Sequence, residues 1–149
     1  MTGDEAKVRE GTSAILVATD GSFLLQVRDN GPHIIDSGKI GLFGGSREKN
    51  ESFLDCVVRE VYEEIGFYLP PERFELIGSY FGPDYFAPDR LLHGEIFFAR
   101  DVPLADLTIS EGTLKVVALD ELRRLQHCLA LPARYAFEIF LGRCERFPR

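Results

Sequence analysis

The chain of 149 residues has 17 Lys and Arg against 24 Asp and Glu, giving a net charge of −7, and 45% of its residues are hydrophobic. This length predicts a single domain over residues 1–149 with a polar N-terminal tail of about ten residues, and the composition is typical of a soluble globular protein. The negative charge disfavours nucleic acid as a partner, because such a surface repels a phosphate backbone.

The sequence contains no apolar run of about 18 residues and no apolar signal segment at its start, so we expect neither a membrane span nor secretion, and we expect a cytoplasmic protein. Cys56, Cys128 and Cys144 form an odd, scattered set without a CxxC pair. This pattern argues against a disulfide framework and against a zinc site, and it predicts buried or half-buried thiols.

In chain order, the first predicted elements are two strands, at residues 12–18 and 22–28, joined by a turn at Thr19-Asp20-Gly21. An Asp-Gly pair between two β-rich runs is a strong hairpin signal. The segment that follows is dense in Gly, Asp, Asn and Pro, which predicts an irregular loop with one short strand at residues 40–43.

A helix is predicted next, over residues 52–65. Ser52 can cap its first turn together with Asp55, and Gly66 stands where a terminating glycine belongs. Apolar residues at helical spacing form one stripe, namely Leu54, Val57, Val58, Val61 and Ile65. Three acids related by i, i+3 and i+4 share a neighbouring face, namely Glu60, Glu63 and Glu64.

Further strands are predicted at residues 74–81, 93–100 and 113–119. An aromatic loop at residues 82–92 separates the first two of them. A short helix that Asp120 could cap follows the third, and a last helix has Pro132 near its start and Gly142 near its end. Strands with helices between and after them predict an α/β fold in which helices pack on a sheet.

When only helical spacing is considered, two interpretations of the acidic helix face stand side by side. Like charges one turn apart on an exposed helix cost only about 0.2–0.5 kcal/mol per pair, so solvent could carry this face without any function. Partly enclosed carboxylates at about 5–6 Å would repel by about 3 kcal/mol per pair at an effective dielectric of about 20. A divalent cation removes that repulsion, and Mg²⁺ favours hard oxygen ligands and bridges to substrate phosphates.

The spacing of the whole segment decides between these interpretations. From Gly45 to Phe67 the chain reads G-x5-E-x7-R-E-V-x-E-E-x-G-F. This pattern resembles the signature of the Nudix hydrolases, G-x5-E-x7-R-E-U-x-E-E-x-G-U with U an apolar residue, and every defined position matches. With each of the seven fixed residues at roughly 7% usage, chance agreement is on the order of one in 10⁸ per starting point.

The resemblance implies a Nudix-type α/β/α sandwich with a mixed sheet and a loop–helix–loop metal site. It implies a hydrolase that uses Mg²⁺ or Mn²⁺ to break a pyrophosphate bond in a nucleoside diphosphate linked to another moiety, as in a nucleoside triphosphate, ADP-ribose or a nucleotide sugar. The partner would be a small molecule, and the oligomeric state stays open, a homodimer included. The alternatives are a Nudix-fold module that binds a nucleotide without cleaving it and a metal-dependent isomerase on the same fold.

Roles at the metal site also follow from the resemblance. Glu60 and Glu64 match the principal metal ligands of the family, and Glu63 matches an additional ligand or an aid to water activation. Gly44, immediately before the signature, matches the residue whose carbonyl commonly contacts metal. The predicted metal ligands are Gly44, Glu51, Glu60, Glu63 and Glu64.

The remaining roles concern positioning and the general base. Glu51 usually supports the carboxylate cluster in the family, and Arg59 matches the arginine that contacts it. The segment around Glu111 resembles the MutT-like Glu-Gly pair before a strand and a short helix, which nominates Glu111 as a further ligand or base. Glu95 on a predicted strand is its rival. The predicted catalytic residues are Arg59, Glu60, Glu63, Glu64 and Glu111.

Substrate choice depends on residues outside the signature. Pro83 stands 16 residues past it, where ADP-ribose pyrophosphatases carry a proline, and Tyr85 stands 18 past it, where diadenosine polyphosphate hydrolases often carry tyrosine. These two positions point to different substrates. The aromatic residues that could stack a base are Tyr80, Phe81, Tyr85 and Phe86. The cations that could contact phosphate are Arg28, Lys39, Arg47 and Arg90.

One departure from the family pattern lies just upstream of the signature. Many relatives have W-x-L-P-G-G there, and this chain has Ile40-Gly41-Leu42-Phe43-Gly44-Gly45. The missing tryptophan and proline remove no metal contact, but they leave the packing of this loop open.

Overall fold

The structure is a computed structural model that describes residues 7–29, 39–85 and 87–146. Within these residues the strands are β1 (Val8–Ala18), β2 (Phe23–Val27), β3 (Ile40–Gly41), β4 (Glu75–Asp84), β5 (Ala87–Val102) and β6 (Thr113–Val117). The α-helices within the same residues are α1 (Phe53–Ile65), α2 (Leu119–Arg124) and α3 (Leu131–Arg146).

The strands form one mixed sheet in the order β3-β2-β1-β5-β4, and β6 pairs with β2. β1 and β5 run parallel, with Gly11 opposite Gly94, while β4 runs antiparallel to β5, with Tyr80 opposite the same glycine. The β1–β2 hairpin is antiparallel, as the Asp-Gly turn predicts. The mixed sheet confirms the predicted α/β class.

Two hydrophobic cores lie on opposite sides of this sheet. Successive residues of β1 point to alternate faces, because the side-chain period of a strand is two. Leu16 packs in the core that contains Val61 of α1, and its neighbour Ile15 packs in the core that contains Phe137 of α3. The sheet therefore lies between α1 and α3, and the predicted α/β/α sandwich is confirmed.

Helix α1 begins and ends where the sequence predicts. The Ser52 hydroxyl oxygen accepts a hydrogen bond from the Asp55 amide at 2.9 Å. At the other end, Gly66 adopts a left-handed conformation with φ of 69°, and its amide donates to the Tyr62 carbonyl at 2.9 Å. These caps satisfy backbone groups that the helix cannot pair internally, so they fix the segment that presents the acidic residues.

The predicted aromatic loop at residues 82–92 is wrong. The pairing of β4 with β5 continues through it, with Gly82 opposite Leu92 and Pro83 opposite Leu91. Pro83 is tolerated because β4 is an edge strand, where a missing amide leaves no neighbouring strand unpaired. The prediction for Phe86 lies outside the described residues, and Tyr85 stands at the turn.

Strand β1 also begins earlier than predicted. It starts at Val8 instead of Thr12, because its parallel pairing with β5 extends back to Leu91. Part of the segment predicted as a polar tail therefore belongs to the sheet.

The ends of the last two helices differ from the predictions as well. The residue before α2 is Ala118, which has no side chain that can cap, and Asp120 lies inside the first turn. Helix α3 continues through Gly142 to Arg146. A glycine inside a helix costs about 1 kcal/mol relative to alanine, which the packing of α3 against the sheet can offset.

The described cysteines are free thiols, with Cys56 buried and Cys128 half-buried, as predicted. The prediction for Cys144 lies outside the described side chains. No helix in the described ranges is long and apolar enough to cross a membrane.

The Ser52 cap generates a stability prediction. We expect Ser52→Ala to lower the free energy of unfolding by about 1 kcal/mol, because the Asp55 amide loses its acceptor. Urea denaturation monitored by circular dichroism measures this change. Ser52→Asp is the matched control and should retain the stability of the wild type, since aspartate caps as well as serine does. Equal stability of the alanine and aspartate variants would contradict the assigned cap.

Candidate active site

Two glutamates of α1 rest on consecutive peptide units of the loop that precedes it. The Gly44 amide donates a hydrogen bond to Glu64 Oε1 at 2.8 Å. The Glu60 carboxylate lies so close to Gly45 that a Cβ placed there would stand 2.1 Å from Glu60 Oε1. A side chain at residue 45 would therefore displace Glu60, which explains why the loop has glycine at this position.

The same loop is seated on β1. The Thr12 amide donates to the Gly45 carbonyl and the Ala14 amide to the Phe43 carbonyl, both at 2.8 Å. Gly44 has φ of 138°, and a Cβ there would lie 2.2 Å from the Thr12 carbonyl oxygen. Phe43 is fully buried in the core beneath α1, so its aromatic side chain anchors the loop. Phe43 stands at the position of the proline in the W-x-L-P-G-G pattern of many relatives.

Arg59 joins three carboxylates and the loop. Its Nε and Nη2 donate to the two oxygens of Glu51 at 2.6 and 2.9 Å. Its Nη1 donates to Glu63 Oε1 at 3.0 Å and lies 3.5 Å from Glu60 Oε1. The Ser46 carbonyl accepts from Nη2 at 3.1 Å. Such a bidentate contact fixes both partners, so the predicted Arg59–Glu51 contact is present.

The carboxylates of the site have divergent pKa values. Hydrogen bonds from Arg59 lower the pKa of Glu51 to about 2. Burial raises the pKa of Glu64 to about 8, against the opposing effect of the Gly44 amide. Burial also raises the pKa of Glu60, with Arg59 acting in the opposite direction. Burial therefore disfavours the ionised forms of Glu60 and Glu64, the two glutamates of α1 that contact the glycine loop.

Glu111 approaches this pair from the loop before β6. Its backbone carbonyl accepts a hydrogen bond from Gln26 Nε2 at 3.0 Å, and its side chain is exposed. The charge of Glu111 raises the pKa of both Glu60 and Glu64, so its carboxylate lies within Coulombic range of them. Glu95 instead lies 3.6 Å from the ring nitrogen Nε2 of His93 on β5. The role of either acid as a base stays a prediction.

Most of the carboxylates predicted as metal ligands are engaged by other groups of the protein. Among residues 7–29, 39–85 and 87–146, no three Asp, Glu, His or Cys side chains converge on one ready metal position. Arg59 holds Glu51 and Glu63, and the Gly44 amide holds Glu64. The donors nevertheless fit Mg²⁺ or Mn²⁺, since Glu60 and Glu64 offer hard oxygens whose raised pKa values a cation would lower. The ligand assignment stays a prediction.

Three of the four basic residues predicted to contact phosphate divide into two groups, while the fourth, Lys39, is exposed and its backbone carbonyl accepts from the Arg28 amide at 3.0 Å. Arg28 lies close enough to lower the pKa of Glu64, and it lines a cavity beside the site. Arg47 forms an ion pair with an acid of β1, and Arg90 forms one with Asp84 at 2.9 Å. Among these, Arg28 is the cation that the structure places next to the acidic pair.

A cavity of about 200 Å³ adjoins the glycine loop on the side of the sheet that α3 covers. Tyr80 and Tyr85 line it, as two of the aromatic residues predicted to stack a base. The sequence analysis missed Gly11, Gly94 and Tyr135, which also line it. Glycines inside two strands are a signal of close approach that could have drawn attention to the first two.

The family model of the NUDIX domain matches residues 7–137. Among solved structures, the MutT protein from Methanosarcina mazei Go1 has 24% identity and a TM-score of 0.74, over 93% of this chain and 96% of that one. The MutT NUDIX hydrolase from Burkholderia pseudomallei has 26% identity and a TM-score of 0.70, over 89% of this chain and 97% of that one.

A third similar structure is a bifunctional NMN adenylyltransferase/ADP ribose pyrophosphatase from Francisella tularensis, complexed with AMP and a Mn ion. It has 17% identity and a TM-score of 0.73, over 93% of this chain and 42% of that one. Comparison with curated proteins finds no match to the sequence. Because the NUDIX match spans residues 7–137 and the complete signature forms the acidic site, the chain belongs to the Nudix family and is a pyrophosphohydrolase of that family.

Proposed function

We propose that the chain uses Mg²⁺ or Mn²⁺ to hydrolyse a pyrophosphate bond in a nucleoside diphosphate linked to another moiety. Nucleoside triphosphates, ADP-ribose and nucleotide sugars are the candidate substrates. The observation that carries the proposal is the placement of Glu60 and Glu64 on consecutive peptide units of the glycine loop. Nudix hydrolases generally use divalent metals. Here backbone oxygens of the loop and carboxylate oxygens of α1 lie together, and both are ligands that such a cation favours.

In this proposal Glu60 and Glu64 would hold the cation, assisted by the Gly44 carbonyl, with Glu63 as an additional ligand. When bound, the metal supplies a Lewis acid and lowers the pKa of a bound water, which makes a nucleophile at neutral pH. The burial that raises the pKa values of Glu60 and Glu64 supports this assignment, because desolvated carboxylates gain most from a nearby cation.

Arg59 and Glu51 serve as positioning residues. The bidentate contact keeps Glu51 ionised and holds Arg59 beside Glu60 and Glu63. The guanidinium thereby offsets the repulsion among acids that share one face of α1. Support for this role comes from the Ser46 carbonyl, which ties the same arginine to the loop.

Glu111 is the proposed general base. Its exposed carboxylate lies within Coulombic range of the acidic pair, on a loop separate from α1. From there it could accept the proton of an attacking water, while Glu60 and Glu64 would hold the cation. Glu63 is the second candidate for this step, since Arg59 holds its carboxylate on the same side of α1.

The proposed roles of Glu60 and Glu64 predict a loss of turnover. We expect Glu60→Gln and Glu64→Gln each to lower kcat roughly a thousandfold. Each change removes an anionic metal ligand, and a bound metal stabilises the transition state by several kcal/mol. The measurement is product release from nucleoside triphosphates, ADP-ribose, nucleotide sugars and dinucleoside polyphosphates with Mg²⁺ and with Mn²⁺. Glu72→Gln is the matched control outside the site and should retain the wild-type rate. Unchanged rates in both active-site variants would refute the roles assigned.

The Arg59–Glu51 contact predicts a pH dependence of stability. The folded state lowers the pKa of Glu51 from 4.5 to about 2, so the contact stabilises the fold above pH 4.5 and is lost as the pH falls towards 2. We expect Glu51→Gln to be less stable than wild type at pH 7 and the difference to shrink between pH 4.5 and 2.

Urea denaturation at a series of pH values tests this expectation. Glu48→Gln is the control, since Glu48 is 69% exposed and lies 3.7 Å from the same arginine. A stability difference for Glu51→Gln that stays constant from pH 7 to pH 3 would show that Arg59 does not set the pKa of Glu51.

A further inference from the structure

We propose that Gln26 and Ser110 are positioning residues, which hold Glu111 beside the acidic pair of α1. The inference rests on the proposed function, because Glu111 is the general base proposed there. Three features of the Glu111 loop, residues 108–112, support it. They are a buried amide beneath the loop, a close backbone approach to β2 and an attachment to the last turn of α1.

Gln26 is a polar residue in an otherwise apolar strand. Its neighbours in β2 are Phe, Leu, Leu and Val, and it is 3% exposed. Gln26 shares a face of β2 with Leu24, which packs in the core beneath α1. A buried side-chain amide costs free energy unless its polar groups are paired, and Nε2 of Gln26 donates to the Glu111 carbonyl at 3.0 Å. The buried donor therefore anchors the loop from the side of the sheet.

The loop touches β2 immediately after Glu111. Gly112 has φ of 67°, a conformation that glycine adopts readily. A Cβ there would lie 2.4 Å from the Val27 carbonyl oxygen and 3.3 Å from Cγ of Gln26. Thr113 then starts β6 opposite Val27. The backbone of the loop thus rests directly on β2, and β2 sets the height of Glu111 above the sheet.

The Glu111 loop is also bound to the last turn of α1. The Ser110 amide donates to the Glu64 carbonyl at 3.1 Å, and the Ser110 hydroxyl donates to the Glu63 carbonyl at 3.0 Å. The Thr108 amide donates to the Ile65 carbonyl at 2.8 Å. Carbonyls in the last turn of a helix have no partner within the helix, so the loop satisfies them. The loop therefore bridges the helix that carries the acids and strand β2, and its acid lies between the two attachments.

The position of the Glu111 carboxylate depends on these attachments. The side chain is exposed, so the backbone that carries it sets where the carboxylate can reach. A general base must lie within hydrogen-bond reach of the proton that it removes. A displacement of about 1 Å can lower a rate about a hundredfold. Gln26 and Ser110 fix that backbone from two sides, and each acts on the reaction through Glu111.

Loss of either contact is expected to slow the reaction while substrate binding is retained. Gln26→Met keeps the length of the side chain and removes its donor. With Mg²⁺ and the proposed substrate that the wild type hydrolyses fastest, we expect kcat to fall about tenfold and KM to stay within about twofold. Ser110→Ala should lower kcat about threefold, because the Ser110 amide still holds the loop.

Gln126→Met is the matched glutamine control. Gln126 is exposed and lies in the short turn that follows α2, away from the Glu111 loop. This variant should retain the wild-type kcat and KM.

A double-mutant cycle separates positioning from a general structural effect. Glu111→Gln alone is expected to lower kcat about a hundredfold, as the loss of a general base does. Once this base is absent, Gln26→Met and Ser110→Ala should each change kcat by less than about twofold. Equal factors with and without the Glu111 carboxylate would show that the two residues act independently of it, and would overturn the inference.

Hydrogen exchange measured by mass spectrometry tests the loop without turnover. In the protein without metal or substrate, we expect Gln26→Met to speed exchange at residues 108–112 about tenfold, since a lost hydrogen bond favours local opening. Exchange in α1 should stay within about twofold of the wild type. Unchanged exchange in the loop would show that Gln26 does not hold it, and would reject the role of Gln26.

The outcomes distinguish this inference from the proposed function. A wild type that hydrolyses none of the proposed substrates rejects the function and, with it, the inference. Hydrolysis by the wild type with unchanged rates in the Gln26 and Ser110 variants, or in Glu111→Gln, rejects the inference and keeps the function. Thermal unfolding establishes that each variant is folded, and Ser110→Ala, at an exposed residue, decides the outcome if Gln26→Met does not fold.

Discussion

The contact between α1 and the Gly44–Gly45 loop is the constraint on which the active site depends. The Gly44 amide holds Glu64, and the absence of a side chain at Gly45 admits Glu60. Backbone hydrogen bonds from β1 hold the loop in turn, so the sheet core sets the position of both acids. The loop also forms one end of the cavity beneath α3. One short segment thereby couples the acidic site on one side of the sheet to the tyrosine-lined space on the other.

Electrostatics divides the acids of the site into two kinds, one on the loop before α1 and one on α1 itself. Glu51 stays ionised because Arg59 lies against it, whereas burial disfavours the charged forms of Glu60 and Glu64. The second kind gains most from a cation, and cation binding to such a pair releases protons. Arg59 therefore orders the cluster without neutralising the two acids on the loop. This separation places a fixed ion pair and a pair of partly buried acids side by side in one site.

Local patterns in the sequence were sufficient to predict α1, its caps and the first hairpin, and to identify the acidic signature. These features depend on residues a few positions apart, such as Ser52 with Asp55 or Glu60 with Glu64. The β4–β5 hairpin was predicted too short, since Gly82 and Pro83 are typical of a loop and only pairing with β5 makes them strand residues. Side-chain contacts of Arg59 were predictable from helical spacing and the family pattern, while the raised pKa of Glu64 depends on burial that spacing does not reveal.

The cavity escaped the sequence analysis for a related physical reason. Gly11 and Gly94 are neighbours only because β1 and β5 pair in parallel, across most of the length of the chain. Their side-by-side placement requires the register of that pairing, and a shift of one residue between β4 and β5 would move Tyr80 to the opposite face of the sheet. The acidic signature is thus encoded in one contiguous segment, whereas the tyrosine-lined cavity arises from strand register. Sequence patterns accordingly predict the class of reaction, but they do not identify the substrate.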